Sequence, residues 1–201
     1  MSNAFAASLW AADYLLTLAS LGCAGINLHG GDSRYLSAGL GDHNPGLEVA
    51  GNDKRSAPNG FYTPIATEQG QVAEARPVYY GMLLAQEFAG ATMLALEAAQ
   101  SQPEMLQAYA AEKNGKAMIA LVNKSSFGDR NIVITADKPF HRAALSRLTG
   151  TGLDATRGIE FGGAVVGSGG TWSPQSEPLL VRNGVLHVAV PAASAALIYL
   201  S

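Results

Sequence analysis

The sequence holds a single cysteine, Cys23, and a lone thiol excludes an intrachain disulfide. It sits in the apolar run 23–28 and reads as a small buried hydrophobe rather than a reactive nucleophile. Clusters of basic residues are missing as well: 13 Lys and Arg are scattered among 16 Asp and Glu, for a net charge of -3. No stretch offers the cationic footprint that a nucleic-acid backbone or an anionic membrane surface requires, so neither is expected as a partner. No window supplies the ~20 uncharged apolar residues that cross a bilayer. Leu15 to Cys23 superficially looks like a secretory or lipoprotein leader, but no Lys or Arg precedes it and Asp13 breaks its apolar run.

What is present is apolar. A hydrophobic fraction of 48% against 14% charged residues gives ample surface to offset the entropy of ordering, so the chain is globular. Its 201 residues suit one large domain or parts of two. Phe5, Leu9, Ala12, Leu16 and Ala19 recur at helical spacing and predict a helix over 3–20, with Ser2 or Asn3 as cap and Gly22 as stop. Trp10, Tyr14, Leu15 and Leu18 make the other side of that helix apolar too, which calls for neighbours on more than one side.

Residues 23–29 then read as a buried strand emptying into a polar loop, Asn27-Leu28-His29-Gly30-Gly31. A glycine- and asparagine-rich segment follows over 30–71, longer than the ~15 residues usual for a structureless connection. A second helix is predicted over 77–90, opened by Pro77 and closed by Gly90. A linker is expected between 98 and 104, dividing the chain into a first part, 1–98, and a second, 104–201. Strands at 106–111 and 117–122 around Asn114-Gly115, and at 178–182, 185–190 and 195–200 around Asn183-Gly184, carry hairpin signatures. Further strands are expected at 131–135, 142–148, 158–161 and around Val165. Short strands at this spacing predict an antiparallel sandwich. The fold class is therefore α+β by content.

Polar side chains at the end of a buried strand are where α/β folds keep ligand sites. His29 holds that position, and a structural role, donating to a loop carbonyl, stands beside ligand contact. Asp32, Asp42, His43 and Asp53 share one loop, but their spacing fits no EF-hand or zinc pattern, so no metal is expected. Glycoside hydrolysis needs two carboxylates, and none of Glu48, Glu68, Glu74, Glu87 and Glu97 ends a predicted strand. No Gly-x-Ser-x-Gly elbow supports a serine triad.

Four segments in order carry a resemblance: Ser2 to Leu16, Gly25-Ile26-Asn27-Leu28-His29-Gly30-Gly31, Phe61-Tyr62-Thr63-Pro64-Ile65, and Pro77-Val78-Tyr79-Tyr80-Gly81-Met82. Together they resemble the C-terminal part of glycoside hydrolase family 79, the β-glucuronidases and heparanase-like enzymes. Ala117 to Asn123, Gly162-Gly163-Ala164-Val165 and Gly170-Thr171-Trp172 are similar to that family's C-terminal β-domain.

The resemblance implies the last helix-strand-helix of a (β/α)8 barrel followed by the antiparallel β-sandwich. Residues 3–20 would be the seventh barrel helix, 23–29 the eighth strand and 77–90 the eighth helix. The family's general acid and nucleophile, glutamates ending the fourth and seventh strands, would then lie outside this chain, leaving no catalytic residue and no cofactor within it. Asn27, His29, Gly30, Gly31 and Tyr62 would line the pocket for a glucuronide or other uronic-acid glycan, with Tyr35 as rival for the tyrosine role. The missing barrel portion would be a partner. Such enzymes are often secreted or lysosomal. The alternatives are a non-catalytic β-sandwich that binds carbohydrate or acts as a scaffold, with Trp172, Tyr109 and Tyr199 as aromatics more suited to core than to sugar stacking, and a subunit complementing a separate barrel chain.

Overall fold

The computed structural model describes residues 3–28, 63–68, 71–97 and 105–201. Helix α1 spans Phe5–Ser20. Its N-cap is Ala4, with no side-chain cap, so Asn3 does not play the expected part, and Ser2 lies outside the described residues. The first orphan N–H groups are met by tertiary structure instead: Phe5 N donates to Ala155 O at 2.7 Å and Ala6 N to Leu153 O at 2.9 Å. At the other end the predicted stop is real. Gly22 adopts φ 84°, Gly22 N bonds Ala19 O at 3.0 Å and Cys23 N bonds Leu18 O at 3.0 Å, a Schellman closure.

Helix α2 spans Pro77–Gln86 with proline in its first turn, where the missing N–H costs nothing. The two helices pack closely. A Cβ placed on Gly81 would lie 2.1 Å from Ser8 O, so only glycine permits this approach. Ser8 Oγ donates to Pro77 O at 2.5 Å across the same contact.

The strands are β1 (Ile65–Glu68), β2 (Gln71–Ala75), β3 (Thr92–Leu94), β4 (Leu106–Lys113), β5 (Lys116–Asn123), β6 (Arg130–Ile134), β7 (Ala143–Thr149), β8 (Glu160–Phe161), β9 (Glu177–Leu179), β10 (Val181–Arg182), β11 (Val185–Val190) and β12 (Ser194–Leu200). All pairings among them are antiparallel. The main sheet runs β3-β4-β5-β12-β7-β8, with β9 also on β7. A smaller sheet runs β10-β11-β6, and β1-β2 form a separate hairpin. The two Asn-Gly turns behave as their chemistry requires: φ is 53° and 76° at Asn114 and Gly115, and 52° and 72° at Asn183 and Gly184. Two successive positive values give the primed turn whose twist matches flanking strands.

The main sheet is covered on both faces. Tyr109, Met118, Ala120, Val122, Leu148, Ala195 and Leu197 meet Phe5, Leu9, Leu16, Tyr80 and Leu84 of the helices. The alternate residues Ile119, Leu121, Leu145, Ala196, Ile198 and Leu200 meet Ile134, Leu186, Val188 and Val190 of the small sheet. The result is three layers: helices, main sheet, small sheet. Burial on both faces explains why Ala117 to Val122 and Ala195 to Leu200 read as unbroken apolar runs rather than alternating ones.

Three expectations are corrected. Cys23–Leu28 carries no strand, and Cys23 is exposed rather than buried; an apolar run becomes a strand only with a neighbour to pair with, and it has none among the described residues. The segment read as structureless through residue 71 contains the start of the β1-β2 hairpin, whose register shifts between Ala66 and Thr67, an irregularity that blurs the period-two pattern. Around Val165 there is only an isolated bridge, Phe161 to Ala164.

Candidate functional site

Of the five residues expected to face substrate, Asn27 is described, and it is exposed on Cys23–Leu28. His29, Gly30, Gly31 and Tyr62 lie outside the described residues, as do Tyr35, Asp32, Asp42, His43, Glu48 and Asp53. Among the described residues no group of three or more His, Cys, Asp or Glu is placed to hold a metal ion.

What is on view is the anchorage next to Tyr62. Thr63 is 1% exposed and Arg76 5%. Arg76 Nη1 donates to Thr63 Oγ1 at 3.0 Å, and Arg76 N donates to Pro64 O at 2.8 Å. The β1-β2 hairpin is thus fastened at its base, and the chain leaving Thr63 toward Tyr62 starts from a fixed point. Burial holds the Arg76 guanidinium below its ordinary pKa, opposed by the charge of Glu74. On α2 the Tyr80 hydroxyl accepts a bond from Val166 N at 3.0 Å. Burial pushes that phenol up; the Val166 bond works against this, while the charges of Glu160 and Glu74 add to it. Thr63 falls within a segment that carries the resemblance, but nothing in the sequence pairs it with Arg76, because a buried arginine is recognised only by its partner.

Two further polar joints tie the helices to the main sheet. Tyr109 donates to Asp13 Oδ1 at 2.5 Å, shares a 2.7 Å bond with Thr17 Oγ1, and Lys124 Nζ holds Asp13 Oδ2 at 2.7 Å. Tyr199 donates to Glu87 Oε2 at 2.9 Å. Burial first, then the acidic neighbour, raises both phenols well above the usual tyrosine range. These tyrosines hold layers together rather than facing solvent, and Trp172 stacks on Phe161 at 5.4 Å between centroids.

On the opposite, sandwich face of β7 an open cleft of about 530 Å³ is lined by Arg147, Thr149, Gly163, Gln175, Ser176 and Glu177, among others. Arg147 Nε donates to Glu177 Oε1 at 3.1 Å, and Nη1 donates to Ala189 O at 2.9 Å.

An arabinofuranosidase structure aligns at 18% identity and TM-score 0.51, covering 71% of this chain and 32% of that one; this likeness speaks to fold alone. A GH51 arabinofuranosidase from Xanthomonas axonopodis pv. citri aligns at 16% identity, TM-score 0.49, over 71% of this chain and 29% of its own. A GH30 endoxylanase from Clostridium papyrosolvens aligns at 15%, TM-score 0.47, over 68% and 30%. The chain spans about a third of the length of each of these structures. Among curated proteins, none matches it significantly. The family description "Glycosyl hydrolase family 79 C-terminal beta domain" matches residues 108–197. That match runs from within β4 to within β12, so the sandwich of this chain is similar to a glycosyl hydrolase family 79 C-terminal beta domain.

Proposed function

We propose that the chain is the C-terminal portion of a retaining β-glucuronidase-like glycoside hydrolase and supplies part of its sugar subsite. The observation that carries this reading is the family 79 match over 108–197, on a sandwich whose main sheet is packed against two adjoining helices. In this account α1 and α2 are the last two helices of a (β/α)8 barrel, and Cys23–Leu28 becomes its eighth strand once a neighbouring strand is present.

The outer face of α1 supports that arrangement. Trp10 and Tyr14 stack at 5.0 Å with an interplanar angle of 12°, yet they are 51% and 40% exposed, and Leu21 is 74% exposed. Large apolar side chains grouped on one exposed face mark a surface made to be covered. The remainder of the barrel, on the same polypeptide or on one encoded beside it, is the occupant that this reading assigns to it.

Chemically, a retaining glycosidase needs a proton donor and a nucleophile about 5–5.5 Å apart. Both glutamates belong to the remainder of the barrel in this reading, so the chain positions the sugar and does not break the bond. Asn27, His29, the Gly30-Gly31 backbone and Tyr62 offer donors to a uronic-acid carboxylate, where charge-assisted hydrogen bonds are strong and shape-selective. The coding sequence upstream of the Met1 codon tests the assignment. An in-frame or adjacent stretch encoding two strand-ending glutamates supports it; the absence of both overturns it.

A further inference from the structure

We propose that the cleft on β7 is a further carbohydrate site, for a neutral saccharide, formed by residues other than those assigned above to the uronate. Residues 145, 147 and 149 share one face of β7. The small sheet covers Leu145, which is 1% exposed, and leaves Arg147 and Thr149 at the open cleft. The walls are built in advance. Gly162 N donates to Arg147 O at 2.9 Å and Gln175 N donates to Gly162 O at 2.8 Å, while Ser146 Oγ donates to Gln175 O at 3.4 Å. A site fixed before binding loses little freedom when a ligand arrives.

The polar groups match a vicinal diol. The bonds to Glu177 and Ala189 orient the Arg147 guanidinium while using two of its five N–H groups. Its side chain keeps 33% exposure and that of Glu177 55%, so a donor and an acceptor stand side by side toward solvent. One sugar hydroxyl accepts from Arg147 while its neighbour donates to Glu177. Gly163, at φ 66° with nothing within 4 Å of its absent Cβ, leaves its part of the cleft clear of side chain.

Charge selects the ligand class. Arg147 and Glu177 already neutralise each other, so an acidic sugar meets a carboxylate that has to be displaced. A neutral pyranose meets no such cost. The lining contains no aromatic ring, so the expected affinity is on the order of millimolar.

The test is a titration of the isotope-labelled full chain with cellohexaose, xylohexaose and methyl β-D-glucuronide at about 20 mM, followed by amide NMR shifts. At least one neutral hexaose is expected to move the amides of Thr149, Gly163 and Ser176, and the glucuronide to leave them in place. Glu177→Ala, on an exposed side chain, should weaken that binding about tenfold or more, and Ser176→Trp should block it, both with an unchanged Tm. The proposal is overturned if neither hexaose moves these amides, if the glucuronide moves them as strongly, or if Glu177→Ala binds as tightly as the parent. None of these outcomes bears on glucuronide hydrolysis, so failure here is distinguishable from failure of the uronate reading.

Discussion

Replacing Gly81 by alanine tests the packing that sets the helical layer on the sheet. The new Cβ would sit 2.1 Å from Ser8 O, 2.9 Å from Ala11 Cβ and 2.9 Å from Ala12 N. Two of these atoms are α1 backbone, so no rotamer change relieves the clash, and α1 and α2 have to move apart. Overpacking of this kind costs typically about 1–3 kcal/mol and occasionally more. Separation also lengthens the 2.5 Å bond from Ser8 Oγ to Pro77 O and loosens Leu9 and Leu84, both essentially fully buried. Against this, alanine is favoured over glycine inside a helix by ~1 kcal/mol. The approach is to main chain at 2.1 Å, so the cost lies at the upper end of that range, about 3 kcal/mol, and after the alanine gain leaves a net destabilisation of about 2 kcal/mol. At this chain length each kcal/mol lowers Tm by about 2–4 °C, so calorimetry should show a fall of about 4–8 °C. An unchanged or higher Tm for Gly81→Ala would refute the close helix contact.

Two other substitutions probe the polar joints and the rim. Tyr109→Phe removes the phenol that bonds Asp13 and Thr17 and should lower stability by about 1–2 kcal/mol in chemical denaturation. Because the Tyr109 pKa is raised in the folded state, the folded chain holds that proton more tightly than the unfolded one. Its contribution is therefore complete below the unfolded tyrosine value near 10 and declines as pH rises through the folded one. The variant should show a shallower alkaline loss of stability, and an identical alkaline slope would contradict the role given to Tyr109. In a full-length enzyme carrying this segment, His29→Ala and Tyr62→Phe should each reduce kcat/KM on a β-glucuronide by about tenfold or more, one charge-assisted bond being worth about 1.5–3 kcal/mol; unchanged kinetics would remove them from the sugar site.

Much of the sandwich was legible because its signals are local. Asn114-Gly115 and Asn183-Gly184 fix two hairpins through backbone geometry alone, and Pro77 and Gly22 mark helix ends through chemistry that needs no partner. The misreadings share the opposite cause. The α1 cap comes from carbonyls of Leu153 and Ala155, distant in sequence, and the fate of Cys23–Leu28 depends on whether a strand lies beside it. Arg76 and Thr63 identify each other only in space, and the cleft joins residues of β7 to Gln175 and Glu177 across nearly thirty positions, as the 30-residue separation of Arg147 and Glu177 shows. Asp13, which looks in sequence like a flaw in an apolar helix, is the point where Tyr109 and Lys124 meet α1.

The central claim is that this chain shapes part of a sugar subsite while the bond-breaking carboxylates belong to the rest of a barrel. Its most direct measurement is hydrolysis of a chromogenic β-glucuronide by the purified 201-residue chain alone. The account predicts no release of chromophore above the uncatalysed rate. Turnover that co-purifies with the chain through successive columns would contradict it, and would place a catalytic acid and nucleophile among the chain's own glutamates and aspartates.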